Sequence, residues 1–348
     1  MKNFFLEPSG KIVFGVGSVR EYLACFARMY GPNTLLVSGV RSAKENGAYD
    51  DVLRGLRAAG KQVVELSGIR AGTDHESVLA GARLAREHHV DLVVGVGGGS
   101  VIDCCKAISM AAVYRGDIWA DFWARRGVVD FQPLPVGAIP TNLGSGELNG
   151  AAVLTHGSDG ACRARNYPQC APCFVLFDPD YTRTLTREQI VSGGFQIFSR
   201  ALELYLAPPA GESVTNSLLE AIVRNVARTL RKGRSRLQSA ETRTDLMWAG
   251  ALVGNGLFQA GKQCRYPCRQ AALRMAAETG RQFLECLSVI QMDAYIAACR
   301  QHAEAMAGLS VRVWDILPEC RTTDELAMAG AEAMRALLGE LGLPTVGT

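Results

Sequence analysis

Short apolar runs alternate with helical patterns between residues 34 and 180. The runs are bounded by Gly, Pro and Asp, as buried strands usually are. They are TLLVS (34–38), QVVEL (62–66), DLVVGVG (91–97), VGAIPT (136–141) and FVLFD (174–178). The intervening segments DDVLRGLRAAG and ESVLAGARLAREHHV have the spacing of amphipathic helices. Strand and helix in alternation predict a parallel sheet that helices cover on both faces.

The strand signals end near residue 185, and helical spacing alone continues in segments such as VTNSLLEAIVRNVARTLRKG. The expected buried face of that segment is formed by Leu218, Leu219, Ile222, Val226 and Leu230. The sequence therefore predicts an α/β domain over residues 1–185 and an all-helical domain over residues 186–348.

Composition excludes several classes of protein. Of the 348 residues, 48% are hydrophobic and 20% are charged, which is typical of a globular chain rather than a disordered one. The formal net charge of +3 indicates neither nucleic acid nor an anionic membrane as the main partner. The N-terminus has no apolar run of signal-peptide length, and the most apolar stretch, residues 246–258, is too short to span a bilayer. We expect a cytoplasmic protein.

The chain contains eleven cysteines. In a protein of this size without an export signal, free thiols in a reducing cytoplasm are the expected state. A zinc site that uses the pair Cys170 and Cys173, or the pair Cys264 and Cys268, is the alternative.

A glycine-rich turn carries the strongest chemical signal. In DLVVGVGGGSVIDCCKAIS a buried strand runs into Gly97, Gly98, Gly99 and Ser100 and then into a helix. Glycines let the backbone approach a ligand closely, and the N–H groups at a helix start bind anions. This pattern predicts a pyrophosphate site, although a glycine-rich turn after a strand can also be purely structural. The spacing is neither that of G-x-G-x-x-G nor that of a Walker loop.

Several motifs resemble the iron-containing (group III) alcohol dehydrogenases. GGGSVIDCCK matches that family's G-G-G-S-x-x-D-x-x-K segment, and IPTNLGSGELN is similar to its I-P-T-x-x-G-x-G-S-E stretch. FDPDYTRTLTREQIVSGG resembles the segment that joins its two domains, and DLMWAGALVGNGLFQAG resembles a helix of its butanol dehydrogenase and NADPH-dependent aldehyde reductase branch. The resemblance implies a Rossmann-like, dinucleotide-binding α/β domain and an all-α domain in a dehydroquinate synthase-like fold. It also implies an active site in the cleft between the domains, and a homodimer.

The resemblance fails at the metal site. The family binds a divalent metal through a D-A-x-x-H motif and two later histidines, and those four positions fall here on Gln196, Arg200, Arg269 and Phe283. The chain has five histidines, and only His302 lies beyond residue 185. Gln and Phe are not typical ligands of a catalytic Zn or Fe ion, and guanidiniums repel a cation. We therefore predict that the protein binds no metal.

Without a metal, a reductase needs another electrophile to polarise a carbonyl. The candidate catalytic residues are Gln196, Arg200, Tyr266, Cys268 and Arg269. The two arginines are expected to face each other across the cleft and to hold an anionic group, because Arg grips carboxylate and phosphate bidentately.

The expected counter-ions of these arginines are Glu203, Glu147 or a ligand. Phe195, Phe198, Leu202 and Tyr205 are expected to fix the rotation of the helix that carries Arg200. The alternative is that Arg200 pairs with Glu203 on its own helix and that Arg269 is solvated.

The predicted cofactor is NADP(H), with NAD(H) as the alternative. The loop after the first core strand, GVRSAKENG, has no acidic residue before Glu45, and its Gly39, Arg41 and Ser42 lie where a 2′-phosphate could be bound. Asp103 and Thr141 complete the predicted cofactor site. The loop can also be read as a polar connection and helix cap.

Three functions remain open. The first is a metal-independent NADP(H) oxidoreductase that acts on a carbonyl compound or alcohol, with an anionic substrate as one case. Alternatively, the protein is a pseudoenzyme with a binding role, or a non-redox enzyme, such as a lyase or cyclase, that uses the same cleft. Retention of the glycine-rich turn favours the oxidoreductase, whereas the missing metal ligands favour the other two.

Overall fold

The computed structural model describes residues 10–144, 148–157, 160–209 and 211–345, so Glu147 lies outside the described residues. The chain forms two compact units. Among the described residues, an α/β unit comprises residues 10–186 together with Arg243–Asn255, and a helical unit comprises Arg187–Thr242 and residues 256–345. The segment Arg243–Asn255, which lies beyond the predicted domain boundary at residue 185, thus belongs to the α/β unit.

The α/β unit is built on a six-stranded parallel sheet with the order β1-β8-β5-β4-β2-β3. Its strands are β1 (Lys11–Phe14), β2 (Asn33–Gly39), β3 (Gln62–Ile69), β4 (Leu92–Gly97), β5 (Val136–Pro140) and β8 (Phe174–Phe177). The five apolar runs of the sequence form β2, β3, β4, β5 and β8, so the predicted parallel sheet is confirmed. Strand β4 lies between β2 and β5, and every residue of β4 is buried. This burial explains why the run LVVGVG is apolar throughout.

Helices cover both faces of this sheet. They are α1 (Ser18–Ala27), the single turn α2 (Ser42–Glu45), α3 (Ala48–Ala58), α4 (His75–Glu87) and α5 (Gly99–Ala111). Leu36 and Val94 pack with α1 and α3 on one face, whereas Leu35 and Val93 pack with α4 and α5 on the other. Successive strand residues point to opposite faces, so a sheet buried on both sides requires these continuous apolar runs.

Four elements of this unit carry weak sequence signals. Strand β1 is short and lies at the edge of the sheet beside β8. The strands β6 (Ala151–Thr155) and β7 (Cys162–Asn166) form a separate antiparallel pair, and a π-helix spans Trp119–Ala124.

The helical unit contains α6 (Arg187–Leu206), α7 (Val214–Leu230), α8 (Arg234–Leu237), α10 (Pro267–Thr279), α11 (Phe283–Gln301), α12 (Ala303–Trp314) and α13 (Thr323–Leu341). The expected apolar residues of α6 are all buried: Phe195, Phe198, Leu202 and Tyr205. The predicted face of α7 is partly wrong, because Leu218 is 48% exposed and Val223 is buried in its place.

Helix α9 (Ala240–Gly254) supplies the returning segment of the α/β unit. The Arg243 guanidinium donates to Thr182 Oγ1 over 3.0 Å, and the ring of Trp248 packs edge-on against Phe14. Within the described part of the chain, no helix is long and apolar enough to cross a membrane. The eleven cysteines are free thiols, as expected.

Candidate active site

The glycine-rich turn joins β4 to α5 at the point where the strand order of the sheet reverses. Strand β2 pairs with β3 on one side and with β4 on the other, so the crevice between the carboxyl ends of β2 and β4 is a topological switch point. Open α/β sheets bind their ligands at such points. Gly39 ends β2 and Gly97 ends β4, which places both at this edge.

Steric crowding requires glycine on one side of the turn, and open space surrounds the other side. A Cβ added to Gly97 would lie 2.7 Å from Val101 Cγ2, whereas a Cβ added to Gly99 would meet no atom within 4 Å among the described residues. Helix α5 begins at Gly99, so its first N–H groups have no acceptor within the helix. A phosphate can therefore approach these N–H groups with the helix dipole behind them.

The neighbouring strand β5 also ends at this edge. The Thr141 N–H donates to Gly97 O over 2.9 Å, and the Asn142 amide lies 3.4 Å from a Cβ built on Gly98. Asn142 Oδ1 is buried without a hydrogen-bond donor in the described part of the chain. An acceptor in that position is available to a ligand. Asn142 was not among the predicted site residues, although this asparagine directly follows the I-P-T motif.

Ser100 and Asp103 hold neighbouring segments in place. Ser100 Oγ accepts the Gly72 N–H over 3.1 Å, and Asp103 Oδ2 accepts the Val153 N–H of β6 over 3.0 Å. The fully buried Lys106 ammonium donates to Ala151 O over 2.8 Å on the same strand. Asp103 and Lys106 thus fasten the β6–β7 hairpin to α5, which is a structural role beside the predicted cofactor role of Asp103.

Arg41 and Ser42 lie after β2 at the start of α2, and the Arg41 guanidinium pairs with Glu45 over 2.8 Å. Both side chains of this pair are largely exposed, at 79% and 52%, so the pair contributes little stability. Arg70 follows β3 directly, and the register pairs Gly39 with Ile69. The exposed side chains of Arg41 and Arg70 therefore follow adjacent strand ends. Arg70 was not among the predicted site residues, although an arginine immediately after the neighbouring strand is a detectable signal.

In the helical unit, the four positions that are predicted to correspond to the family's metal ligands lie on three helices. Gln196 and Arg200 are one turn apart on α6, Arg269 is near the start of α10, and Phe283 begins α11. Arg269 Nη1 donates to Gln196 Oε1 over 3.3 Å, and the Arg269 guanidinium lies 5.4 Å from the Phe283 ring centroid. The structure therefore brings Gln196, Arg269 and Phe283 together.

Arg200 stacks on Tyr266, with its guanidinium carbon 4.6 Å from the ring centroid. Tyr266 has a positive φ of 47° immediately before Pro267, and its hydroxyl accepts a hydrogen bond from Gln259 Nε2 over 2.7 Å. Burial raises the Tyr266 pKa, and the Arg200 charge lowers it in part. Arg200 on α6 and Arg269 on α10 both belong to the helical unit.

Glu203 on α6 binds the start of α10 and interacts electrostatically with both arginines. Its Oε1 accepts the Cys268 N–H over 2.7 Å, and the side chain is almost fully buried. Burial raises the Glu203 pKa to about 7, although the Cys268 hydrogen bonds and the charges of Arg200 and Arg269 lower it. The Cys268 pKa is raised by burial and by Glu203, so the thiol stays protonated. Cys268 therefore acts here as a packed neutral group.

These side chains do not fit a divalent metal. Catalytic Zn or Fe sites use imidazole, carboxylate or thiolate ligands, whereas this cluster offers an amide, two guanidiniums and a phenyl ring. In the described residues, no group of three or more His, Cys, Asp or Glu side chains could hold a metal ion.

Comparison with known proteins agrees with this architecture. The model of the family described as iron-containing alcohol dehydrogenase matches residues 8–179. The "Probable NADH-dependent butanol dehydrogenase 2" of Bacillus subtilis is 30% identical over 99% of this chain and 88% of its own length. The NADPH-dependent aldehyde reductase YqhD of Escherichia coli is 29% identical over the same shares of both chains. The chain belongs to the iron-containing alcohol dehydrogenase family.

Solved structures of relatives show the same fold. The crystal structure of NADH-dependent butanol dehydrogenase A from Thermotoga maritima superposes with a TM-score of 0.90 at 26% identity, over 99% of this chain and 86% of that one. The crystal structure of Escherichia coli YqhD gives the same TM-score and identity, over 99% of this chain and 87% of that one. The predicted fold class is therefore confirmed.

Proposed function

We propose that the protein is a nicotinamide-dependent oxidoreductase that interconverts a carbonyl compound and an alcohol without a metal ion. Its relatives are described as NADH-dependent butanol dehydrogenases and an NADPH-dependent aldehyde reductase. The observation that carries the proposal is the open approach to Gly99 at the start of α5, at the switch point of the sheet.

The cofactor site is assigned to the edge formed by β2, β4 and β5. The N–H groups of Gly98, Gly99 and Ser100 would bind the pyrophosphate, and Asn142 Oδ1 would accept a hydrogen bond from the cofactor. When bound, a nicotinamide dinucleotide supplies or accepts a hydride. NADP(H) is favoured over NAD(H), because Arg41 and Arg70 follow adjacent strand ends and a 2′-phosphate can displace a weak surface ion pair.

The electrophile is assigned to the arginine cluster of the helical unit. Reduction of a carbonyl places negative charge on oxygen, which donors aimed at that oxygen stabilise. Arg200 and Arg269 provide charged donors, and Tyr266 keeps its proton because burial raises its pKa. The same guanidiniums can instead hold a carboxylate or phosphate of the substrate bidentately. Either arrangement replaces the Lewis acid on which a metal-dependent enzyme relies.

The test uses chelator-treated protein with NADPH or NADH, and it compares butanal with 4-oxobutanoate as substrates. These aldehydes differ in a terminal carboxylate. We expect aldehyde-dependent oxidation of NADPH that chelator does not reduce, and faster turnover of 4-oxobutanoate. Nucleotide binding without turnover of any aldehyde or alcohol would favour a binding role. Nucleotide binding is measured as a rise in melting temperature. If neither NADPH nor NADH raises the melting temperature, the proposal of an oxidoreductase is refuted.

A further inference from the structure

The helical unit contains a cavity of about 350 Å³ between the C-terminal end of α6, the start of α10 and the middle of α11. This volume lies in the range of roughly 300–1,000 Å³ typical of small-molecule sites. Much of its wall is apolar and is formed by Leu206, Ala207, Pro208, Pro267 and Ala294.

An incompletely satisfied amide lines this cavity. Gln291 is 1% exposed, and its Oε1 accepts the Ser199 hydroxyl over 2.6 Å. Its Nε2 is buried and has no acceptor in the described part of the chain. Because a buried donor without an acceptor costs free energy, native proteins seldom retain one unless water or a ligand pairs with it.

Glu203 provides a second polar group on the same wall. Ser199 and Glu203 are one helical turn apart on α6, so the Gln291 amide that contacts Ser199 lies near Glu203. One carboxyl oxygen of Glu203 is used by the Cys268 N–H. A hydroxyl group suits this pair, because it can accept from an amide and donate to a carboxyl oxygen, and because it suits either orientation of the amide.

We propose that this cavity is a binding site for a small neutral alcohol, which places its hydroxyl on Gln291 Nε2 and its apolar body against Leu206, Pro208 and Ala294. The cavity adjoins the arginine cluster through Glu203 and Cys268, whereas Gln196, Arg200 and Arg269 are not among the lining residues that the structure describes. Arg265 also lines the cavity, at an exposed position. A neutral ligand is proposed because the buried Gln291 amide carries no charge and most of the remaining wall is apolar. The site requires no nicotinamide, so it does not depend on the proposed function.

The test uses 4-bromobenzyl alcohol as the probe. Crystals of the nucleotide-free protein are soaked in the probe, and anomalous scattering locates the bromine. Titration calorimetry in solution then measures the dissociation constant for the wild type and for three variants. Ala294→Met fills the cavity, Gln291→Leu removes the amide, and Ala297→Met adds the same side chain to α11 three residues from Ala294, at a residue outside the lining set.

We expect the bromine in the cavity, at least tenfold weaker binding in Ala294→Met and Gln291→Leu, and wild-type binding in Ala297→Met. Unchanged affinity in Ala294→Met would overturn the proposal. Bromine density found only outside the cavity would also overturn it, as would a lack of saturable binding to the wild type. Melting curves without probe verify that each variant is folded. If Gln291→Leu does not fold, Ala294→Met decides the outcome alone.

Discussion

Arg269 donates a hydrogen bond to Gln196 over 3.3 Å and thereby joins α10 to α6. The two residues occupy positions where the sequence comparison places metal ligands in the family. The side chains of Arg269 and Gln196 therefore contact each other directly between the two helices. The stacking of Arg269 on Phe283 adds a third position to the same contact. Arg269 thus contacts both Gln196 and Phe283, at positions that are predicted to correspond to metal ligands of the family.

The first prediction concerns metal content. Protein purified without chelator should contain far less than one Fe, Zn, Mn or Ni per chain by elemental analysis, because the cluster lacks suitable ligands. The fourfold variant Gln196→Asp, Arg200→His, Arg269→His and Phe283→His should gain stoichiometric metal, since Arg269 already contacts Gln196 and Phe283 and Arg200 lies one turn from Gln196 on α6. About one metal ion per wild-type chain would contradict the assignment of these positions.

The second prediction concerns the arginines. Arg200→Ala and Arg269→Ala should each raise KM for 4-oxobutanoate about 10- to 100-fold, as expected for the loss of a charge-assisted hydrogen bond. Affinity for nucleotide should remain near that of the wild type. Arg265→Ala, which removes an exposed charge from the same segment, is the matched control. Equal KM changes for butanal and 4-oxobutanoate would argue against carboxylate recognition.

The third prediction concerns cofactor choice. Arg41→Ala and Arg70→Ala should each weaken NADPH binding about tenfold, because an arginine–phosphate bond contributes roughly 1.5–3 kcal/mol when it is formed. NADH binding should be unaffected, since NADH lacks the 2′-phosphate. Titration calorimetry with both nucleotides checks this difference. Tighter binding of NADH than NADPH to the wild type would reverse the proposed preference.

The fourth prediction concerns pH. Burial raises the Glu203 pKa from 4.5 to about 7 in the folded protein. Between these two values the unfolded state releases the proton while the folded state retains it. The free energy of unfolding should therefore fall as pH rises through this window, by on the order of 3 kcal/mol, and this contribution should then stay constant above pH 7. Urea titrations at successive pH values measure the decline.

A matched pair of variants isolates the Glu203 contribution. Glu203→Gln mimics the protonated side chain and can still accept the Cys268 N–H, so this part of the pH dependence should disappear. Glu304→Gln, at an exposed position on α12, should retain it. A wild-type slope in Glu203→Gln would show that another group titrates in this window.

The central strands were predictable because burial on both faces demands continuous apolar residues, which are visible in the sequence. Strand β7 gave no such signal, since its sequence CRARN is polar and β7 pairs only with β6. The exposure of Leu218 was equally hidden, because the two faces of α7 both carry aliphatic residues. Neighbouring helices decide which face is buried.

For the candidate site, motif spacing predicted local positions: Gly97 and Gly99 lie at a strand-to-helix turn, and Gln196 and Arg269 lie on helices. The role of Glu203 was not predictable in this way. A glutamate on a helix is usually solvated. Here its partner is the Cys268 N–H, 65 residues away in the chain. Helix propensity and periodicity contain no information on such a contact.

The return of Arg243–Asn255 to the α/β unit has a consequence for protein synthesis. When Thr186 leaves the ribosome, all strands of the sheet have been made, but the segment that includes Trp248 has not. Trp248, one of the two aromatic partners of Phe14 in the described residues, is thus translated only after α6 and α7. During this interval, the surface of the nascent α/β unit that Trp248 later contacts, around Phe14, is uncovered. A gene fragment that ends at codon 186 would leave this surface permanently exposed.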